Sequence, residues 1–248
     1  MFSARENLAH FSPFHMRIWC WMSLQAGIIN VGGFLACHRF VTHITGFATH
    51  FGAESALGNW GAAFGMLTVP FFFVLGSMIS GYLVDHRIAQ GKEARYLWVV
   101  GLIFVLLLSA TFLGERGFFG KFGDPIVIEK DYSLLALLCL ASGIQNAMIT
   151  SASGSVVRTT HLTGVATDLG IGIIRVLARP RSDLLRKQES FANLMRAGLI
   201  LSFLIGSSLG AAIFFRFEYR GFALPVVITG GFLILALHEQ WQKRRRTS

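Results

Sequence analysis

The residues best suited to chemistry lie in a Thr-His-x-Thr-Gly element that occurs twice. A histidine side chain can donate a hydrogen bond, accept one or carry a positive charge near neutral pH. A threonine hydroxyl can cap a freed backbone group, and glycine permits unusual backbone dihedral angles. Each element therefore predicts a polar break in the chain, suited to proton transfer or to binding an anion or polar solute. The first copy is Thr42, His43, Ile44, Thr45 and Gly46, and the second is Thr160, His161, Leu162, Thr163 and Gly164.

Other polar residues stand inside or beside apolar segments. Asn30, Gln145 and Asn146 carry uncharged amides that could ligate a solute or an ion. Asp168 is predicted to pair with Arg158 or Arg175, with a role as proton acceptor as the alternative. The predicted solute-binding residues are Asn30, Thr42, His43, Thr45, Gly46, Gln145, Asn146, Arg158, Thr160, His161, Thr163, Gly164 and Asp168.

A purely structural role is the main alternative for these residues. Polar side chains in membranes often only join helices, and small residues such as Gly206 and Gly210 usually mark close packing. A metal site built from His43, His50, His161 and Asp168 is less favoured, because their spacing matches no known ligand pattern. We expect no metal, no cofactor and no catalytic residue, since the motifs of serine hydrolases and zinc proteases are absent from the sequence.

Composition indicates that the bilayer is the solvent of this chain. Of 248 residues, 53% are hydrophobic and 14% are charged, which leaves too little polar surface for a water-soluble globule. Six segments approach the length of a spanning helix, so we predict an all-α, polytopic membrane helix bundle forming a single transmembrane domain over residues 1–248. The segments are residues 18–37, 61–84, 96–113, 133–157, 197–215 and 221–237.

The positive charges predict the orientation. With the N-terminus inside, sixteen of the 22 Lys and Arg residues fall in cytoplasmic segments and six fall outside. Both termini are therefore expected in the cytoplasm, with the chain in the inner membrane. The net charge of +9 is explained by loops at the lipid surface, so the expected partners are the bilayer and a small solute or ion, but no nucleic acid. A homo-oligomer is left open.

An internal repeat predicts the architecture. Residues 27–30 match 143–146, residues 42–52 match 160–170 with seven identities in eleven positions, and residues 73–77 match 203–207. These matches keep their order at separations of 116, 118 and 130 residues, which favours duplication of residues 15–114 as 132–238. Three spans are an odd number, so the second copy is inverted. Broken or re-entrant segments after spans 1 and 4 could then meet near the midplane.

Several of these motifs together resemble a known family. Gly-x-x-Asn-x-x-Gly-Phe-Leu at residues 27–35, Gly-Ile-Gln-Asn-Ala at 143–147 and Arg-Thr-Thr-His-Leu-Thr-Gly at 158–164 are similar to the YoaK-like family of bacterial membrane proteins. The resemblance covers residues 21–237 and implies a six-span inner-membrane protein without an established substrate. It also implies an Asp where this chain has Asn30 and an Asn where it has Phe47, and the first difference bears on ion coupling.

The favoured function is a transporter or channel for a small polar solute, and the histidines and helix starts would suit an anion. The first alternative is a membrane scaffold or sensor that docks through the basic segment 175–196. An intramembrane enzyme is less favoured, because no nucleophile motif or acidic pair is present in the sequence.

Overall fold

Every regular element in the described part of the chain is a helix. The computed structural model describes residues 13–124, 128–153, 162–178 and 183–247. A π-helix, Tyr82–His86, and a 3-10 helix, Glu218–Phe222, interrupt the α-helices. The α-helices are α1 (Pro13–Cys37), α2 (Ile44–Ala56), α3 (Trp60–Met66), α4 (Thr68–Gly81), α5 (Arg87–Ala89), α6 (Tyr96–Glu115), α7 (Ile128–Ala152), α8 (Leu162–Leu177), α9 (Asp183–Phe217) and α10 (Ala223–Thr247).

Five helical stretches in the described residues are long and apolar enough to cross a membrane. The last of them covers 60 residues and contains α9, the 3-10 helix and α10. The prediction of an all-α membrane bundle is therefore confirmed. The stretches are Pro13–Cys37, Trp60–Ala89, Tyr96–Glu115, Tyr132–Ala152 and Asp183–Gln242.

Helices α1 and α7 form the centre of the bundle. The most apolar window of each is 67% buried, whereas that of Trp60–Ala89 is only 28% buried. The outer helices present large apolar side chains to the surroundings, and Met78 on α4 and Trp98 on α6 are 64% and 67% exposed. Exposed apolar surface of this extent suits contact with lipid.

Helix α1 packs backbone to backbone against α9. A Cβ atom on Gly27 would lie 2.3 Å from the carbonyl oxygen of Phe203, and one on Gly206 would lie 2.0 Å from that of Leu24. Only glycine fits at such distances, as in other closely packed membrane helices. Ser207 Oγ donates a hydrogen bond of 3.3 Å to the Gly27 carbonyl oxygen across the same contact.

Helices α4 and α7 pack in the same way through equivalent residues. A Cβ on Gly143 would lie 2.1 Å from the Phe73 carbonyl oxygen, and one on Gly76 would lie 2.3 Å from that of Leu140. Ser77 Oγ donates to the Gly143 carbonyl oxygen at 3.3 Å. These five residues correspond to Gly27, Phe203, Gly206, Leu24 and Ser207 at the offsets of 116 and 130 that the matched segments show.

Helices α2 and α8 begin at the third residue of each Thr-His-x-Thr-Gly element. The Gly46 N–H donates to the His43 carbonyl oxygen at 3.2 Å, so this glycine lies in the first turn of α2 and does not break the chain. Helix α2 buries only Phe47 and packs on α3 and α4. Of the residues in α8, Val165 and Gly172 are buried, and the helix packs on α9.

Candidate functional site

Asn30 and Thr42, two predicted site residues, contact each other. Asn30 Oδ1 accepts hydrogen bonds from the Thr42 N–H at 3.2 Å and from Thr42 Oγ1 at 2.9 Å. Both residues are buried, and the pair ties the segment after α1 back to that helix. Asn30 Oδ1 is thus hydrogen-bonded within the protein, where it holds the loop after α1 in place.

The remaining described residues of the first element face outward. His43 and Thr45 are exposed, and the nearest aromatic ring to the imidazole of His43 is that of Phe40, with 6.0 Å between centroids. Gly46 is partly exposed in the first turn of α2. These three residues line neither of the two cavities described below.

The second element is only partly described. Arg158, Thr160 and His161 lie outside the described residues. Thr163 and Gly164 are exposed at the start of α8. Because α2 packs on α3 and α4 whereas α8 packs on α9, these contacts do not join the two elements. The contacts of the described parts do not bring the two elements together, and one central site formed by both stays a prediction.

The described residues do not show the predicted pairing of Asp168 with Arg175, and Arg158, the other predicted partner, lies outside them. Asp168 is exposed, and Arg175 instead lies 3.8 Å from a carboxylate oxygen of Glu189 on α9. Asp168 and Arg175 are seven residues apart on one helix, about 10 Å along its axis, which exceeds the reach of a direct ion pair. Glu189 also accepts a hydrogen bond of 2.8 Å from Arg196.

Gln145 joins the two central helices. Gln25 Nε2 on α1 donates to Gln145 Oε1 on α7 at 2.9 Å, and Gln145 Nε2 donates to the Met22 carbonyl oxygen at 2.9 Å. Both glutamines are 1% exposed. Their amides therefore form a bridge between α1 and α7 inside the bundle.

Asn146 opens onto a polar cavity of about 320 Å³ between α7 and the end of α4. Its Oδ1 atom is buried and has no hydrogen-bond partner among the described residues. Across the cavity, the Asp85 carboxylate accepts a hydrogen bond from Ser151 Oγ. The cavity is lined by Ser77, Gly81, Asp85, Asn146, Ala147, Thr150 and Ser151.

Asp85 is the residue that the sequence analysis missed. It lies one position beyond the predicted span 61–84, where an acidic residue followed by His86 and Arg87 resembles an ordinary loop charge. In the structure the helix continues through it as a π-helix, and π-helical turns are frequent at functional sites. An acidic residue at the end of an apolar run was the available signal.

The comparisons agree with the resemblance drawn from the motifs. A family model described as "Protein of unknown function (DUF1275)" matches residues 18–237. The chain belongs to the DUF1275 family. The resemblance to the YoaK-like family is consistent with this match. No curated protein and no solved structure matches the chain.

Three polar residues that line the cavity of this DUF1275 protein have apolar counterparts in the other helix pair. At the offsets of the matched segments, Asp85 corresponds to Phe215, Thr150 to Phe34 and Ser151 to Leu35. The α1–α9 pair thus carries apolar residues where the α4–α7 pair carries a carboxylate and hydroxyls. Packing alone does not require polar residues at these positions.

A second cavity of the DUF1275 protein, of about 470 Å³, lies where α6 ends and where α9 passes into the 3-10 helix. Its lining mixes both signs of charge, and Arg220 Nε contacts Glu115 Oε1 at 2.7 Å. The Arg220 side chain is 75% exposed, and ion pairs so close to solvent contribute little to binding or stability. The cavity beside Asn146 is therefore the better candidate site.

Proposed function

We propose that this protein is a transporter for a small polar solute, that it consists of two inverted three-helix repeats, and that the solute site is the cavity between Asp85 and Asn146. The observation that carries the proposal is the carboxylate of Asp85 in an apolar helical stretch, beside a buried amide oxygen without a partner among the described residues. Ionisable groups in spanning segments are costly and usually mark a solute or ion pathway.

The equivalent contacts of the two helix pairs support the inverted repeat. Gly27, Gly206 and Ser207 make in the α1–α9 pair the contacts that Gly143, Gly76 and Ser77 make in the α4–α7 pair. Transporters built from inverted repeats move one unit against the other around a site between them. Each close-packed pair is suited to move as a rigid body.

In this proposal the cavity faces the cytoplasm of a bacterium, with the chain in the inner membrane. The helical stretch that carries Asp85 continues into a segment with Arg87, Lys92 and Arg95, and positive loops favour the inside. On the other side, the contact of Gly143 with the Phe73 backbone closes the space between α4 and α7. A carrier fits this arrangement better than an open channel.

Asp85 also narrows the class of solute. A carboxylate repels an anion in a cavity with few other charges, so the transported solute is neutral or carries a positive charge. We propose no chemical reaction at this site, and the proposal remains that the protein is not an enzyme.

Uptake into proteoliposomes tests the proposal. The vesicles are incubated with a defined mixture of amino acids, sugars, nucleosides and amines, and their contents are measured by mass spectrometry. We expect the wild-type protein to accumulate at least one class, and Asn146→Ala to reduce that uptake about tenfold or more, which corresponds to about 1.4 kcal/mol.

Thr111→Ala is the matched control. The Thr111 hydroxyl donates at 3.0 Å to the Leu107 carbonyl oxygen within α6 and does not line the cavity. Its uptake should equal that of the wild type. Accumulation of no class by the wild type, or equal loss in both variants, would remove the cavity from the transport mechanism.

A further inference from the structure

The cavity beside Asn146 contains a hydrogen-bond acceptor that has no donor among the described residues. Asn146 is 8% exposed, and its Oδ1 atom meets no donor among the described residues. In the first half the equivalent Asn30 Oδ1 accepts two hydrogen bonds from Thr42. Thr160, the counterpart of Thr42, lies outside the described residues. Among the described residues the Asn146 acceptor is open to a ligand that supplies a donor or a positive charge.

Other oxygen atoms of the cavity are arranged as acceptors. The Asp85 carboxylate takes one hydrogen bond, from Ser151 Oγ, which leaves further lone pairs available. The hydroxyl of Thr150 donates its proton to the backbone carbonyl oxygen of Asn146 at 2.8 Å, so the lone pairs of this hydroxyl are available as acceptors. Carboxylate, amide and hydroxyl oxygens are the ligands that hard cations prefer.

The charge of the side chains that line the cavity indicates the charge of its ligand. Asp85 is the only charged side chain among the described residues that line the cavity, and none of them is basic. One carboxylate neutralises one positive charge, whereas a divalent ion would leave a charge uncompensated. The geometry is therefore matched to a single positive charge.

We infer that this cavity binds a singly charged cation, held between the Asp85 carboxylate and the Asn146 amide oxygen. The inference rests on the solute site proposed above and names its ligand class. Two sources share this chemistry, namely an inorganic ion such as Na⁺ that is coupled to transport, and the ammonium group of the solute itself.

Cation-dependent thermal stability of the purified protein tests the inference without any measurement of flux. The unfolding midpoint is followed in NaCl, KCl or methylammonium chloride against choline chloride at equal ionic strength. We expect a saturable rise of the midpoint with at least one of these cations, because a ligand that binds only the folded state stabilises it. Sodium alone would identify an inorganic ion, and methylammonium alone would identify an ammonium group.

Three variants locate the site. Asp85→Asn should abolish the rise, and Asn146→Ala should shift it to at least tenfold higher cation concentration. Glu115→Gln, at the other charged cavity, should retain the wild-type rise. The readout is the increment caused by the cation, so a variant with lower basal stability remains informative.

The outcomes separate this inference from the proposed function. A wild-type midpoint that ignores all three cations, that follows pH alone, or that rises equally in Asp85→Asn overturns the inference. A cation-dependent rise together with no solute uptake upholds cation binding and contradicts transport. Solute uptake without any cation-dependent rise upholds transport and contradicts cation binding.

Discussion

The Asn30 amide holds the segment between α1 and α2 in place. Its Oδ1 atom accepts both the N–H and the hydroxyl hydrogen of Thr42, twelve residues further along the chain. These bonds satisfy a buried backbone donor that no regular helix ladder can satisfy, because His38 to Thr42 lie between helices. Asn30 therefore acts as an internal cap for the loop.

We expect Asn30→Ala to lower the free energy of unfolding by about 1–3 kcal/mol, because the Thr42 N–H then loses its buried acceptor. Asn30→Asp keeps an acceptor in the same place and should lose less. Denaturation in detergent measures both variants. Equal losses would show that the hydrogen bonds to Oδ1 do not stabilise the loop.

The sequence predicted which amide side chains matter, but it did not predict their hydrogen-bond partners. Asn30, Gln145 and Asn146 were predicted as site residues from their amides inside apolar runs, and all three are buried. The sequence could not show that Asn30 is bonded by Thr42 while Asn146 Oδ1 has no described partner. The contact of Asn30 with Thr42 depends on the path of the loop after α1, which a local pattern does not contain.

At the scale of elements, glycine determines which helices approach most closely. Gly76 on α4 meets the backbone of Leu140, and Gly206 on α9 meets the backbone of Leu24. A backbone atom cannot rotate away as a flexible side chain can, so any added methyl group forces the helices apart. Each pair should therefore respond to substitution in the same way.

We expect Gly76→Ala and Gly206→Ala each to lower the free energy of unfolding by about 1–3 kcal/mol, as overpacking does in other cores. Gly231→Ala in α10 is the control, since a Cβ there meets nothing within 4 Å. This control should be neutral or stabilise by up to about 1 kcal/mol, because alanine is the better helix former. Unfolding in detergent measures all three, and a harmless Gly76→Ala would contradict the close α4–α7 contact.

The apolar runs predicted the membrane helices. The helical segments that begin in polar stretches were not predicted. Helix α9 begins at Asp183, well before the predicted start at residue 197, because good helix formers continue the helix outside the apolar run. Helices α2 and α8 begin where glycines suggested a break, since one glycine in a first turn costs little when the following residues pack. The π-helix at Asp85 leaves no mark in hydrophobic periodicity.

At the scale of the whole molecule, the two close-packed pairs meet along α1 and α7. The bridge of Gln25 with Gln145, and the hydrogen bond from Cys139 Sγ to the Val41 carbonyl oxygen at 3.4 Å, are polar contacts across this boundary. The glycine contacts within each pair allow no adjustment, whereas hydrogen-bonded side chains can exchange partners. We therefore expect movement between the pairs to be easier than movement within them, which the proposed transport would require.

The direction in which the cavity opens depends on the orientation of the chain, which the charged loops predict. Lys92, after α5, and Lys121, after α6, are exposed and should lie on opposite sides of the membrane. In a chain with Cys20, Cys37 and Cys139 replaced by serine, Lys121→Cys should react with a membrane-impermeant maleimide in intact bacteria. Lys92→Cys should react only after the membrane is permeabilised. The reversed pattern would make the cavity beside Asp85 face outward, while the paired helix contacts would be unaffected.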